Sequence, residues 1–361
     1  MEIELNLKKR SDRSYKIQIG RNNFFSLGKL ISEKFSPDKC IIVTDTKIDK
    51  LYKSKIKSGL LSNKNFKTHL IKIPSGDKSK SQKVRDLLER EVILQHPTRN
   101  TILIALGGGV VGDITGLLAS TILRGIKYVQ VPTTIIAQVD SSIGGKTGIN
   151  LPESKNMIGT IHQPSFVLID IDFIKTLPVV EYLNGLAEII KSSVIASNNL
   201  FRFLEDNFEK LLMRDPEVLQ YCIEKCVRIK SGIVQQDETE NGLRKILNFG
   251  HTIGHAIEAF SNYRVKHGFA VAEGMIVESR IANQMKILQA SEFGRIAELI
   301  SNLGLDRKFR SRYKFNLIWE KILFDKKKVK DKIVFSLPSK IGKCEFNIVV
   351  NKPIVKSAFE N

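Results

Sequence analysis

Residues 101–124 read TILIALGGGVVGDITGLLASTILR, and this stretch decides the fold. Residues 102–106, ILIAL, form an unbroken apolar run of the kind that a parallel sheet buries on both faces. Three consecutive glycines, Gly107 to Gly109, break the run, and VGDITGLLASTIL then resumes with apolar residues at helical spacing. The stretch approaches membrane-spanning length, but Asp113 and five glycines within it favour a strand, a turn and a buried helix. Glycines at such a joint let backbone N–H groups approach a phosphate at the positive end of a helix. A tight strand-to-helix turn with no ligand calls for the same residues.

Upstream, MEIELNL and YKIQIG alternate with period two around KKRSDRS, which predicts a hairpin. FFSLGKLISEKF and SQKVRDLLEREVIL have helical periodicity, while CIIVTD and FKTHLIKIP read as short strands. Downstream, YVQVPTT and SFVLID complete the set. Such alternation predicts a Rossmann-like α/β domain, a mostly parallel sheet covered by helices. At Leu177-Pro178 the pattern changes, and from Val179 to about Phe324 nearly every segment is helical in period. A late KIVFSLPSKIGKCEFNIVV reads as a returning hairpin. With 361 residues, more than one typical core, the chain divides into an α/β domain, 1–178, and a mainly α-helical domain, 179–361, packed across a cleft.

The net charge of +19 raises nucleic acid as a partner. The bases are scattered lysines without interleaved aromatics or a zinc-finger or RNP pattern, so a solvated surface and an anionic small substrate are the expectation. Four cysteines without a CxxC pair suit a reducing cytoplasm. The first residues carry no apolar core after a basic start, and neither a secretory signal nor a membrane anchor is expected.

Three of six histidines cluster: His251 and His255 in LNFGHTIGHAIE, and His267 in KHGFAVAEGM. Residues four apart share a helix face, and a catalytic zinc keeps three protein ligands of this type, to which Glu188 in GLAEIIK adds a carboxylate. Two core histidines on one helix would look the same. Asp45 closes CIIVTD, where an acid can bond a ribose hydroxyl or merely cap the next helix. The segment SGDKSK, 75–80, ends another strand and offers backbone donors and two lysines. RGIKYVQVPTTIIAQVDSSIGGKTGIN sets Arg124, Lys127, Asp140 and Lys146 among glycines and hydroxyls, with Lys155 and Asn156 just beyond. That composition shapes a polar pocket rather than a core. Lys191, Lys230, Arg244 and Asn248 surround the acid and the histidines, and with a metal they suit a substrate bearing phosphate, carboxylate and hydroxyls.

GGGVVGD, PTT, QVDSSIGGKTGIN, KNMIG, LNGLAEIIK, DE-x-E-x-GLR-x-x-LNFGHTIGHAIE and HG-x-AV-x-x-GM stand in one order, with a late DKK and LPSKIGK after them. In this the chain resembles the 3-dehydroquinate synthase family from roughly residue 40 to 345. The resemblance implies a dehydroquinate synthase-like fold and a homodimer. It implies one divalent ion, Zn2+ or Co2+, held by Glu188, His251 and His267, with His255 handling a proton. It implies NAD along Asp45, Ser75, Gly76, Asp77, Lys78, Ser79, Lys80, Gly109, Val110, Val111, Gly112, Asp113, Thr133 and Thr134. Lys146, Lys155, Phe173, Ile174, Lys175 and Thr176 complete that region. Substrate contacts would come from Arg124, Asp140, Lys146, Lys155, Asn156, Lys191, Lys230, Arg244 and Asn248, with Lys327 or its neighbour Lys326 on the phosphate.

The implied reaction is that of a carbon–oxygen lyase acting on phosphate. It turns 3-deoxy-D-arabino-heptulosonate 7-phosphate into 3-dehydroquinate, the second step of the shikimate route to chorismate and aromatic amino acids. NAD transiently oxidises a hydroxyl, which acidifies the neighbouring C–H; phosphate leaves, the hydride returns, and an aldol step closes the ring. Two positions depart from the family's pattern: Phe269 stands where Glu is usual, and Asp77 where Glu is usual. Rival readings are a cyclase for another sugar phosphate and an NAD alcohol dehydrogenase of the glycerol-dehydrogenase type.

Overall fold

A computed structural model describes residues 13–61, 65–151, 155–324, 328–329 and 332–361. The strands in chain order are β1 (Lys16–Gly20), β2 (Lys39–Asp45), β3 (Lys67–Ile73), β4 (Ile102–Gly107), β5 (Lys127–Pro132), β6 (Lys146–Ile149), β7 (Ile158–Ile161) and β8 (Phe166–Asp170). Between them run α1 (Leu27–Phe35), α2 (Thr46–Ile56), α3 (Gln82–Ile93) and α4 (Gly109–Thr121).

Six strands form one sheet in the order β1-β8-β5-β4-β2-β3, and every pairing is parallel. Alternation along β4 explains its unbroken apolar run. Ile102, Ile104 and Leu106 face one layer with Leu27 and Ile31 of α1 and Tyr52 and Ile56 of α2. Leu103 and Ala105 face the other, with Leu88 and Val92 of α3 and Ile114 and Leu118 of α4. Burying both faces leaves no polar face to alternate with. The chain passes from β2 outward to β3 and then back to β4, so β2 and β4 flank a switch point. Ligands of open α/β sheets bind beyond the carboxyl ends of strands at such a point. Asp45 and Gly107 are those ends here.

After Pro178 come α5 (Val179–Ala196), α6 (Asn198–Leu212), α7 (Pro216–Gln236), α8 (His251–Phe260), α9 (His267–Gln284), α10 (Ala290–Asn302), α11 (Phe315–Phe324) and α12 (Lys352–Glu360). This part is not all helix: β9 (Lys328–Val329), β10 (Lys332–Lys340) and β11 (Lys343–Val349) form an antiparallel sheet that includes the expected late hairpin. Helix α9 is buried along most of its length and packs against α5, α8 and α12.

The expected first hairpin meets a different pairing. MEIELNL lies outside the described residues, and β1 runs parallel to β8. Helices α2 and α12 and the small antiparallel ribbon of β6 and β7 are additions to the sequence reading. No helix among the described residues is long and apolar enough to cross a membrane.

Candidate functional site

One cleft of about 1840 Å³ takes lining from the carboxyl ends of the sheet and from the helices that follow it. On the sheet side, α4 begins directly after β4, and its N-cap, Gly108, makes no side-chain capping bond, which leaves the first N–H groups facing the cleft. Asp45, Ser75, Gly76, Asp77, Lys80, Gly109, Val110, Val111, Asp113, Thr133, Thr134, Phe173 and Thr176 line this side. The buried Thr133 hydroxyl has no hydrogen-bond partner among the described residues. Asp45 also caps α2, accepting from the N–H groups of Lys47 at 2.8 Å and Ile48 at 3.0 Å. Lys80 pairs with Asp113 at 2.5 Å and touches the Asn156 side-chain oxygen.

Five of the expected dinucleotide residues turn away from the lining. Gly112 lies against Gln130 under the sheet, where an added Cβ would come within 2.6 Å of the amide oxygen. Ser79 donates to the Pro74 carbonyl, Ile174 is in the core, and Lys175 pairs with Asp172 at 2.8 Å. Lys78 is exposed beside them.

On the helical side, Glu188 is wholly buried on α5, with the Lys191 ammonium against its Oε2 one turn later. His251 opens α8 and His267 opens α9. His251 Nδ1 faces its own helix entry at the Phe249 carbonyl, 3.0 Å away, and Nε2 points to Glu188 Oε1 at 3.7 Å. His267 Nε2 reaches the same oxygen at 3.3 Å. Neither contact has hydrogen-bond geometry, so Glu188 Oε1 is a buried carboxylate oxygen with no hydrogen-bond partner among the described residues. An unsatisfied anionic oxygen facing two imidazole nitrogens fits a borderline-soft divalent cation. All three donor atoms lie within 4.8 Å of one another, and His255, Glu258 and His267 form a second such group. Burial opposes charge on His267, but Glu258 and Glu188 outweigh it and push the imidazolium up to about 10. Burial likewise opposes charge on Glu258, yet His267 and Lys155 bring it down to about 2.

Between these two sides lie Lys146, Lys155, Asn156, Asp140, Lys191, Lys230, Arg244, Asn248 and His255. Lys230 donates to Asp140 through both the carboxylate, at 2.5 Å, and the carbonyl, at 2.6 Å. Burial would raise the Asp140 carboxyl, but Lys230 and Lys191 lower it to about 2. Arg244 is almost fully buried, with Nη1 against the Glu238 carbonyl and Nη2 3.2 Å from the Gly144 carbonyl. Gly144 has φ +92°, and a Cβ there would sit 2.5 Å from the guanidinium, so only glycine admits it. The Arg244 Nε is buried without a partner among the described residues, a donor suited to an anion.

Arg124 stands apart: it is exposed beyond α4 with φ +65° and does not line the cleft. Lys326 and Lys327 lie outside the described residues. Sequence reasoning missed Glu240, which contacts Lys146 Nζ and accepts from Asn248 at 2.7 Å. It missed Glu258 and Tyr263 as well, both in the lining. Glu240 stood inside a quoted motif, but nothing local marked it. Phe269, one of the two departures, is buried away from the lining, and the Arg307 guanidinium lies 5.4 Å over its ring. Asp77, the other, pairs with Lys155 at 3.2 Å.

Known proteins match this chain over nearly its whole length. The family model described as 3-dehydroquinate synthase N-terminal matches residues 70–184, and that described as 3-dehydroquinate synthase C-terminal matches 185–328. The chain is 41% identical over 342 residues to the 3-dehydroquinate synthase of Thermodesulfovibrio yellowstonii, covering 94% of this chain and 95% of the other. Among solved structures it is similar to 2-epi-5-epi-valiolone synthase from Streptomyces hygroscopicus subsp. jinggangensis with NAD+ and Zn2+ bound. That match has TM-score 0.88, 27% identity and 98% coverage of each chain. It is also similar to 2-deoxy-scyllo-inosose synthase complexed with carbaglucose-6-phosphate, NAD+ and Co2+, with TM-score 0.87, 26% identity and 96% coverage of each. The chain belongs to the 3-dehydroquinate synthase family.

Proposed function

We propose that this chain is a 3-dehydroquinate synthase, a lyase that converts 3-deoxy-D-arabino-heptulosonate 7-phosphate into 3-dehydroquinate and phosphate in aromatic amino acid biosynthesis. The observation that carries the reading is the convergence of Glu188, His251 and His267 in a cleft shared with the open end of α4. Identity of about 41% to relatives of that name, over nearly the whole chain, supports the substrate. Glu188, His251 and His267 would hold the divalent ion, and the sheet side from Asp45 to Thr176 would hold NAD. When bound, the two supply a Lewis acid beside a substrate hydroxyl and a reversible hydride acceptor.

The chain's own residues supply orientation and charge. Lys155, Asn156, Arg244 and Asn248 grip phosphate, and Lys230 serves the carboxylate end, with Lys146 and Lys191 adding positive charge to the same wall. His255 hands off a hydroxyl proton from its place one turn beyond His251, where the two rings lie 5.2 Å apart. Lys327 belongs to the same family pattern and remains part of the substrate reading, whereas Arg124 stands outside the cleft lining.

The division into domains 1–178 and 179–361 is supported by the change from sheet to helix at Pro178 and by two family models that meet at 184 and 185. Four free cysteines support a reducing, cytoplasmic setting. A homodimer is supported by Met157, Ile158 and Ile161, exposed apolar side chains on and beside the edge strand β7.

The deciding assay incubates the purified chain with the heptulosonate phosphate and NAD, with and without a chelator. Phosphate release that the chelator stops, with no accumulation of NADH, is the expected result. Release from a different sugar phosphate, or steady NADH production, refutes the assignment.

A further inference from the structure

Glu258 has no part in the reading above, yet it touches both sides of the cleft. It lies on α8, two turns after His251, with its side chain 4% exposed. Its Oε2 meets His267 Nδ1 at 3.0 Å, and its Oε1 lies 3.4 Å from Lys155 Nζ. Lys155 in turn reaches Asp77 at 3.2 Å and sits 4.2 Å over the Tyr263 ring. A continuous line of charge therefore runs from the strand-end loop through Lys155, Glu258 and His267 to Glu188.

We propose that Glu258 is a positioning residue that orients His267 for the metal and ties that ligand to whatever anion engages Lys155. This rests on the metal reading above. An imidazole ligand must carry its proton on one nitrogen and its lone pair on the other. A carboxylate at Nδ1 holds the proton there and turns Nε2 toward Glu188, and such partners govern metal affinity in histidine sites generally. The same carboxylate is shared with an ammonium. When a phosphate-class anion draws Lys155 away, more of the charge of Glu258 falls on His267, and the ring becomes a stronger donor. A second ion held by His255, Glu258 and His267 Nδ1 would have to displace both that proton and Lys155, so the structure favours one ion per chain.

The test measures equilibrium Co2+ affinity of the whole chain with NAD, by competition with a chromophoric chelator. Glu258→Gln keeps the shape and removes the charge; its affinity is expected to fall by about 10–100-fold, with NAD affinity unchanged. Lys155→Met is expected to tighten Co2+ binding in the native background and to have no effect in the Glu258→Gln background, the mark of energetic coupling. Co2+ affinity of Glu258→Gln within about twofold of the native chain overturns the proposal, as does a Lys155→Met effect of equal size in both backgrounds. Two Co2+ ions per chain also overturn it. Should Glu258→Gln fail to fold, Lys155→Met alone decides, and an unchanged Co2+ affinity overturns the coupling. A native chain that binds no Co2+ refutes the metal reading itself, whereas normal binding by Glu258→Gln refutes only this inference.

Discussion

Replacing Gly274 with alanine adds one methyl group between the two helices that carry His251 and His267, the proposed histidine ligands. A Cβ there would lie 1.9 Å from the Gly250 carbonyl oxygen and 2.9 Å from the Gly254 nitrogen. Real Cβ contacts do not fall below 3.0 Å, so the start of α8 must retreat from α9 by about 1.1 Å. The retreat also stretches the bonds that Glu278 of α9 accepts from the Gly250 and Ile253 N–H groups, at 2.6 and 3.2 Å. On an exposed helix the same change would stabilise by about 1 kcal/mol. Here overpacking costs about 1–3 kcal/mol, a fraction of the roughly 5–15 kcal/mol that holds a domain, so the variant folds with a lower melting temperature. The function suffers more than the fold. His251 follows Gly250 directly, metal sites tolerate about 0.2 Å, and a misplacement of about 1 Å costs about a hundredfold in rate. Elemental analysis, a thermal melt and phosphate release, run side by side, are expected to show metal affinity down at least about tenfold and turnover down about a hundredfold. Native metal content with native turnover would refute the view that this contact sets the ligand spacing.

His251→Ala should lose bound metal and turnover together while NAD binding persists; full metal content and activity in that variant would remove His251 from the ligand set. Although the Lys146 side chain is 53% exposed and pairs with Glu240, desolvation at the cleft wall, then the nearby cations of Arg244 and Lys230, bring it down to about 8. Its positive charge is therefore present below that pH and lost as pH rises through it, so sulfate affinity should decline above about pH 8 in the native chain. Lys146→Arg should keep its affinity to higher pH, and parallel titration curves for the two proteins would refute this. The buried Asp170 accepts from the backbone N–H groups of Asn22, Phe24 and Asp172 at 3.0, 3.2 and 3.0 Å. Asp170→Ala should cost about 2–4 kcal/mol in denaturant unfolding, and a change below about 0.5 kcal/mol would show that these donors find other partners.

What could be read from the sequence follows from how local each signal is. The run Ile102–Gly107 announced a doubly covered strand because both its faces are apolar, and the glycines after it marked the turn. Helix α2 was missed because TKIDKLYKSKI is rich in lysine and buries only Tyr52 and Ile56, too few to set a period. Strand β6 lies inside the segment read as a polar pocket, and nothing in the sequence marked β7 as its partner. The glycines and threonines of the two strands carry no apolar alternation, and Gly159 is there because a Cβ would lie 1.9 Å from the Thr147 carbonyl. In the site, His251 and His267 were legible because they stand with His255 in one short stretch, His251 and His255 four residues apart. Glu240 and Glu258 were not, because what they do depends on Lys146 and Lys155, 94 and 103 residues away. A carboxylate's partner across such a separation is fixed only by the fold.

The parallel sheet takes its last strand at Asp170, and the final histidine of the triad, His267, is 97 residues further along. At ribosomal speeds of about 5–20 residues per second, that gap lasts roughly 5–20 s. During synthesis every strand that shapes the proposed nucleotide groove is therefore made well before any proposed metal ligand beyond Glu188 has emerged. On the proposed ligand set, metal would load only after the sheet has formed, and a cell short of zinc or cobalt would hold chains whose sheet is built but whose ion site is empty.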